Sequence, residues 1–274
     1  MPDQSNIEAL QQSLICQNLS NAARDWLLEI EVFKTIGSTN DRIAERISGG
    51  ILQNLGDSRG IAATTEFQSA GKGRRGKKWQ GQSGLDIALS QSCYVSSPAV
   101  AAEGLSLVVG LAVISAIQQF EVAGLSLKWP NDILLGGKKL GGILIELVQQ
   151  QEDCFAVIGV GLNMGGFADK QNSVLQPVAD LSAHNILRNS LVSMMISHIH
   201  DFCCNYMSSG FEPFRKSWNK LHYYQGRLVE LKSVSDSIRG RVVGVGLHGE
   251  LILEDNTGKS STYYAGELSL RPQA

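Results

Sequence analysis

A basic, glycine-rich segment at residues 71–78 is the part of the sequence best suited to bind a polyanion. It reads GKGRRGKK and places five cations among three glycines: Lys72, Arg74, Arg75, Lys77 and Lys78. Glycine permits positive φ and close approach of the backbone, so amide N–H groups can surround phosphate oxygens while arginine binds them through two parallel hydrogen bonds. The segment therefore predicts a site for a nucleotide triphosphate.

Two common nucleotide-binding signatures fail on this segment. Gly71, Gly73 and Gly76 satisfy the spacing G-x-G-x-x-G, but the residues that follow are not helical in pattern, and a dinucleotide site needs a helix N-terminus there. The Walker signature also fails, because no Gly-Lys-Ser/Thr ends the loop. Taken alone, a basic glycine loop is more typical of a solvated turn or a nucleic-acid contact. The other segments of the sequence therefore determine whether it binds a nucleotide.

A second candidate segment, residues 128–146, reads KWPNDILLGGKKLGGILIE. Lys139 begins an apolar strand, where a cation costs free energy unless it has an anionic partner or stays at the solvent edge. Asp132 is a candidate ligand for Mg²⁺, directly or through water, and Asn131 for a phosphate or the metal. The alternative is that the Asn-Asp pair only caps a turn after Pro130.

Periodicity predicts the elements that position these segments. Helices are expected at residues 7–17, 39–50, 101–120 and 187–206, with a further one through 211–218. Strands are expected at residues 29–36, 60–67, 85–95, 125–130, 132–135, 139–148 and 154–163. Short strands with turns then fill residues 225–274, which predicts a small β barrel after a larger domain at residues 1–224.

Composition excludes several classes of protein. The chain has 274 residues, 43% of them hydrophobic, and a net charge of −2, which argues against a surface that tracks a polyanion throughout. Five scattered cysteines without a CxxC pair support neither a disulfide framework nor a zinc site. His198 and His200 are two apart on a predicted helix and do not share a face. No leader pattern or long apolar run occurs, so a cytoplasmic protein is expected.

Five segments in order resemble the biotin protein ligase family. They are STN at 38–40, EFQSAGKGRRGKKW at 66–79, KWPND at 128–132, KKLGGILIE at 138–146 and GVGLN at 159–163, and GELSLR at 266–271 continues the resemblance into the tail. The resemblance covers roughly residues 30–274. It implies an α/β (α+β) catalytic domain on a mixed sheet, akin to class II aminoacyl-tRNA synthetases, followed by an SH3-like barrel at residues 225–274.

The resemblance also implies an activity and a set of site residues. Biotin would be activated with ATP and Mg²⁺ as biotinoyl-5′-AMP and passed to a lysine of a biotin carboxyl carrier protein, with Lys139 and Arg74 as the catalytic cations. The implied biotin-binding residues are Ser38, Thr39, Asn40, Gln68, Gly71, Lys72, Gly73, Arg74, Lys139 and Gly142. The implied ATP-binding residues are Lys72, Arg74, Arg75, Trp79, Asn131 and Asn163, with Asp132 at the metal.

The sequence departs from the family pattern at Lys72, where arginine is common, and at Asp86 and His222, where asparagine and aspartate are frequent. Fewer than 40 residues precede STN, too few for a winged helix, so we expect no binding to operator DNA. We also expect no membrane association and a monomer or weak homodimer. Two alternatives stay open at this point: a lipoate or other acyl-adenylate ligase, and an RNA-binding module that uses the basic loop.

Overall fold

This computed structural model describes residues 8–95, 97–98, 103–165, 177–232, 237–264 and 269–272. Its helices are α1 (Gln12–Gln17), α2 (Asn21–Trp26), α3 (Thr39–Ser48), α4 (Leu105–Gln118), α5 (Arg188–Ser209) and α6 (Glu212–Leu221). The strands of the larger part are β1 (Leu27–Phe33), β2 (Gly60–Thr65), β3 (Ile87–Val95), β4 (Leu125–Lys128), β5 (Asp132–Leu135), β6 (Lys138–Gln150) and β7 (Asp153–Leu162). The remaining strands are β8 (Leu228–Lys232), β9 (Ser237–Val245), β10 (Leu251–Glu254), β11 (Ser260–Tyr263) and β12 (Ser269–Pro272).

The first seven strands form one mixed sheet in the order β1-β2-β3-β7-β6-β5-β4. β1 and β2 are parallel, and every other neighbouring pair is antiparallel. A parallel pair needs a crossover connection, which α3 supplies between β1 and β2. The expected α/β fold on a mixed sheet is therefore confirmed.

Helices cover the two faces of this sheet unequally. α4 is apolar on nearly all sides and is buried with α5 in the main core, which also contains Trp129 and Trp218. On the other face Ile43 and Ile47 of α3 pack against Phe155 of β7 in a smaller cluster. Beyond this cluster the same face carries the small and polar residues of the candidate site.

The N-terminal segment differs from the single helix that we expected at residues 7–17. Among the described residues α1 begins only at Gln12, and a second short helix, α2, follows it. Ser20 caps α2 by accepting a hydrogen bond from the Ala23 N–H at 3.2 Å. Both helices pack on α5, where the Ser193 hydroxyl donates to the Ile15 carbonyl at 2.8 Å. Six-residue helices offer too few positions for periodicity to reveal them.

The five C-terminal strands form a separate antiparallel sheet in the order β11-β10-β9-β8-β12. This arrangement agrees with the small β module expected at residues 225–274, although the domain boundary itself stays a prediction. The Trp129 indole N–H donates to the Gly249 carbonyl at 3.0 Å and joins the two parts of the chain. No helix among the described residues is long and apolar enough to cross a membrane.

His222 gives the core a specific pH dependence. Its ring is buried against Trp218 and Tyr224, and neither ring nitrogen has a hydrogen-bond partner among the described residues. Burial lowers the pKa of His222 to about 3. The unfolded chain takes up this proton below about pH 6.5, whereas the folded chain resists it down to about pH 3. The buried neutral ring therefore contributes its full stabilisation to the fold above about pH 6.5, and this contribution is lost as the pH falls toward about pH 3.

We expect the free energy of unfolding to fall by up to about 1.4 kcal/mol per pH unit from this group across that window. Urea unfolding at about pH 7 and about pH 4.5 measures the change, with His222→Phe as the comparison, because phenylalanine has no proton to take up. The variant should lose less stability than the wild type on acidification. Equal losses in the two proteins would contradict this role of His222.

Candidate functional site

A row of small residues forms the floor of the candidate site. Strand register places Ala88 of β3 beside Gly161 of β7, Gly161 beside Gly142 of β6, and Gly142 beside Asp132 of β5. Side chains of residues paired in register share one face of the sheet. Because the first three residues extend no further than Cβ, larger groups can pack closely on the backbone along this row, which ends at the Asp132 carboxylate.

The start of α3 borders this floor and brings together four of the predicted biotin-binding residues. Ser38, Thr39 and Asn40 are buried, and Ser38 caps the helix by accepting from the Asp41 N–H at 3.4 Å. Gln68 Oε1 accepts from the Thr39 N–H at 2.8 Å and lies 3.1 Å from the Thr39 hydroxyl. The helix start and the segment that leads into the basic loop are therefore held as one unit.

Three residues that the sequence analysis did not single out fix the position of Asn40. Ser90 Oγ lies 2.6 Å from Asn40 Oδ1, and because an amide oxygen only accepts, the Ser90 hydroxyl is the donor. Glu146 Oε2 accepts from Asn40 Nδ2 at 2.7 Å. Gly159 lies beneath the amide, since a Cβ at that position would stand 2.2 Å from Asn40 Oδ1. Ser90 and Gly159 are register partners, a relationship that a single sequence does not display.

The basic segment folds as a small hairpin. The Gly73 N–H donates to the Lys77 carbonyl at 2.7 Å, and the Trp79 N–H donates to the Gly71 carbonyl at 2.9 Å. Arg75 adopts a φ of 56° in the turn and is exposed. A Cβ at Gly71 would stand 2.6 Å from the Trp79 carbonyl oxygen, so this position requires glycine. The glycines of the predicted loop therefore allow its backbone to close, in addition to any part that they play in binding a ligand.

The side chains of Trp79 and Lys72 tie this hairpin to the rest of the fold. The Trp79 indole lies on the floor at Gly161, where a Cβ would approach it to 2.5 Å. The Lys72 ammonium contacts Asp41 and lies 3.7 Å from Glu146 Oε1. The hydrogen bond to Asp41, with a smaller effect of Glu146, raises the pKa of Lys72. Because Trp79 packs against the sheet, the hairpin lacks the exposed stacking surface that an RNA-binding loop would present.

Lys139 lies at the β5 end of the floor. Its ammonium is 2.5 Å from Asp132 Oδ1, and the Lys128 ammonium is 3.5 Å from Asp132 Oδ2. A Cβ at Gly142 would stand 3.5 Å from the Lys139 nitrogen, so the ammonium lies against the glycine floor. Asp132 is therefore the anionic partner that a cation at the start of this apolar strand requires.

Arg74 approaches the same end of the floor from the hairpin. Its Nη1 donates to Asn131 Oδ1 at 3.2 Å, and Asn131 Nδ2 donates to the Ile143 carbonyl at 2.8 Å. Burial and the neighbouring Arg75 lower the pKa of Arg74, an effect that Asp132 opposes. A guanidinium nevertheless stays charged in proteins. Asn131 thus links the arginine to β6, and the second predicted catalytic cation reaches the same end as Lys139.

Asn163 is placed differently from the other predicted nucleotide-binding residues. It is buried, and its Nδ2 donates to the carbonyls of Lys139 and Ala179 at 3.2 and 3.1 Å. The amide group therefore holds the chain near residue 179 beside the start of β6. Its contact with ATP stays a prediction, and the observed role is to fix the backbone of Lys139.

The contacts of Asp132 do not favour its predicted role as a magnesium ligand. Both oxygens of Asp132 already meet ammonium groups. Among the described residues no group of three or more His, Cys, Asp or Glu side chains is arranged to hold a metal. Mg²⁺ usually keeps several waters and is bound through substrate phosphates with one or two carboxylates. The coordination of Mg²⁺ by Asp132 therefore gains no support here and stays a prediction.

A family model and two related proteins point to the same family. The family model described as biotin/lipoate A/B protein ligase matches residues 32–163. The bifunctional ligase/repressor BirA of Escherichia coli (strain K12) is 34% identical over 245 residues, which are 88% of this chain and 74% of that protein. The biotin-acetyl-CoA-carboxylase ligase of Mycobacterium tuberculosis (strain ATCC 25618 / H37Rv) is 32% identical over 194 residues, 69% of each chain.

A solved structure also resembles the fold. The biotin protein ligase from Aquifex aeolicus in complex with biotin and ATP superposes with a TM-score of 0.71, covering 90% of this chain and 99% of that chain. The sequence identity is 24%, so this likeness demonstrates the shared fold alone.

Proposed function

The chain belongs to the biotin protein ligases, within the biotin/lipoate A/B protein ligase family, and we propose that it works in two steps. It first converts biotin and ATP to biotinoyl-5′-AMP and pyrophosphate, and it then transfers biotin to a lysine of a carboxylase carrier protein. The observation that best supports the first step is the Lys139 ammonium, held 2.5 Å from Asp132 against the glycine floor, with Arg74 approaching the same end.

The first step requires two anions to meet. An oxygen of the biotin carboxylate attacks the α-phosphorus of ATP and forms a new O–P bond, while the bond from that phosphorus to the bridging oxygen breaks and pyrophosphate leaves. Bringing the reactants together is costly unless their repulsion is cancelled. Lys139 and Arg74 supply positive charge at one place before the substrates arrive, and such preorganised charge stabilises the phosphoryl oxygens most in the transition state. Asp132 and Lys128 keep the Lys139 ammonium in position.

Biotin is proposed to lie along the floor. Its ureido ring would meet the buried polar start of α3 at Ser38, Thr39 and Asn40, with Gln68 beside them. Its apolar chain would pass beside the Trp79 indole, which covers Gly161, so the carboxylate would reach Lys139. The hairpin, anchored by Trp79, would close over this path and exclude water from the mixed anhydride.

The second step needs no nucleophile from the enzyme. The acceptor lysine amine attacks the acyl carbon of biotinoyl-AMP, the bond to the phosphate oxygen breaks, and AMP leaves with the electron pair while the amine loses a proton. No covalent intermediate on the enzyme is needed along this route. Magnesium would enter with ATP and neutralise the departing pyrophosphate. The cytoplasmic location, the lack of operator binding and the oligomeric state stay predictions.

Transfer to a carrier domain tests the complete proposal. A purified biotin carboxyl carrier domain is incubated with the chain, biotin and MgATP, and the intact mass of the carrier is measured. We expect one biotinoyl adduct, and no adduct on a carrier whose acceptor lysine is replaced by arginine. A missing adduct despite biotin-dependent pyrophosphate exchange would overturn the proposed acceptor, and the loss of both would overturn the adenylation step.

A further inference from the structure

We propose that Asp41 and Glu146 are positioning residues, which act through Lys72 to hold the basic hairpin at residues 71–79 over the start of α3. The inference deepens the proposed function, because that hairpin is assigned to biotin and the adenylate. Asp41 lies in the first turn of α3, and Glu146 lies in β6. The Lys72 ammonium contacts both carboxylates, and so a residue of the hairpin joins a helix and a strand that are far apart in sequence.

Glu146 has two partners, one for each oxygen. Its Oε1 faces the Lys72 ammonium at 3.7 Å, and its Oε2 accepts from Asn40 Nδ2 at 2.7 Å. Asn40 is buried, with its carbonyl oxygen held by Ser90 over Gly159. A single carboxylate therefore couples the position of the hairpin to the orientation of an amide in the proposed biotin pocket.

Lys72 is already neutralised where it stands. Two carboxylates face this one ammonium, whereas the single carboxylate of Asp132 faces both Lys139 and Lys128, so a net positive charge remains at the β5 end of the floor. A lysine suits this place because a compact ammonium can lie between two carboxylates from different directions, whereas an arginine fork favours one carboxylate bound bidentately. The lysine that stands here in place of the family's arginine therefore fits the two acidic residues around it.

The contacts are partly exposed, which limits their strength. The side chains of Lys72, Asp41 and Glu146 are 41%, 55% and 38% exposed. Exposed ion pairs have modest effects and are weakened by salt. The hairpin is also held by Trp79 on Gly161 and by Arg74 on Asn131. Loss of the acidic pair should therefore loosen the hairpin several-fold and leave the fold intact.

Trypsin provides a direct test, because the hairpin contains four basic residues beyond Lys72 and the acidic substitutions change none of them. In low salt without ligands, Asp41→Asn/Glu146→Gln should raise the rate of cleavage within the hairpin by about fivefold. The matched control is Glu45→Gln on the same helix, since Glu45 pairs with Arg42 and, among the described residues, with no residue of the hairpin. A double variant cleaved at the wild-type rate would overturn the proposal.

Salt and kinetics separate positioning from a general structural role. Each cleavage rate is divided by the rate for a free peptide with the hairpin sequence, which corrects for the effect of salt on trypsin itself. The corrected rate of the wild type should rise with salt toward that of the double variant, and the corrected rate of the double variant should stay constant. Lys72→Arg should lose part of the protection, because its fork favours one carboxylate over two, and Lys72→Met should lose all of it. In biotin-dependent pyrophosphate exchange, Glu146→Gln should raise KM for biotin about fivefold with kcat changed by less than about twofold.

These results distinguish the inference from the proposed function. If the wild-type chain shows no exchange, the ligase proposal fails, but the protease result still decides whether the acidic pair holds the hairpin. A salt-insensitive wild-type hairpin, or a fall in kcat without a change in KM, would overturn the positioning role of Asp41 and Glu146.

Discussion

Lys139→Met should lower the rate of biotinoyl-AMP formation by about 10²-fold or more. Methionine keeps most of the length of the side chain but removes the charge that faces both anions in the transition state. It also leaves Asp132 paired with Lys128 alone, so the negative charge of the Asp132 carboxylate is less fully neutralised and repels the incoming phosphates. Both effects oppose the reaction at the same point, which is why this variant should have the largest effect.

Single-turnover formation of biotinoyl-AMP, followed by rapid quench with saturating biotin and MgATP, measures this effect. Lys138→Met is the matched control, because Lys138 is the preceding residue of β6 and its side chain is exposed. It should react at a rate close to that of the wild type. A Lys139→Met rate within about threefold of the control would contradict the assigned role, since removal of one transition-state donor typically costs far more.

Gly159→Ala should reduce kcat/KM for biotin by about 10- to 100-fold, mainly through KM. The added methyl would stand 2.2 Å from Asn40 Oδ1, which forces the amide away from Ser90 and Glu146. Buried polar groups left without partners cost about 1–3 kcal/mol each. The backbone at this position does not require glycine for its φ, so the effect arises from the clash.

Steady-state kinetics with varied biotin, combined with a double-mutant cycle, tests this explanation. In an Asn40→Ala background the group that clashes is gone, so Gly159→Ala should add little further loss. Losses that simply multiply in the double variant would show that the methyl acts on the sheet itself rather than on Asn40. Thermal unfolding of each variant checks that the fold persists.

Features that depend on local chemistry were predictable from the sequence. Two consecutive glycines between two strand patterns indicate a tight turn, and the Gly136-Gly137 turn between β5 and β6 has positive φ at both residues. Ser38 caps α3, and the basic segment is a glycine-rich loop closed by its own backbone hydrogen bonds. These features follow from residue type and short spacing, which a single sequence displays directly.

Features that depend on strand register were not predictable. Ser90, Glu146 and Gly159 lie on three strands and meet at Asn40 only because β3, β7 and β6 pair in one particular register. The alternation of apolar residues assigns a face to each strand but does not align one strand with another. The sequence predicts only that Lys139 needs an anionic partner. The pairing of β5 with β6 identifies this partner as Asp132.

The most direct test of the central claim is exchange of labelled pyrophosphate into ATP, with biotin, lipoate or no acid present. Exchange that requires biotin, and that Lys139→Met reduces by about 10²-fold, is the predicted result. Exchange supported by lipoate but not by biotin, or no exchange with either acid, would contradict the account.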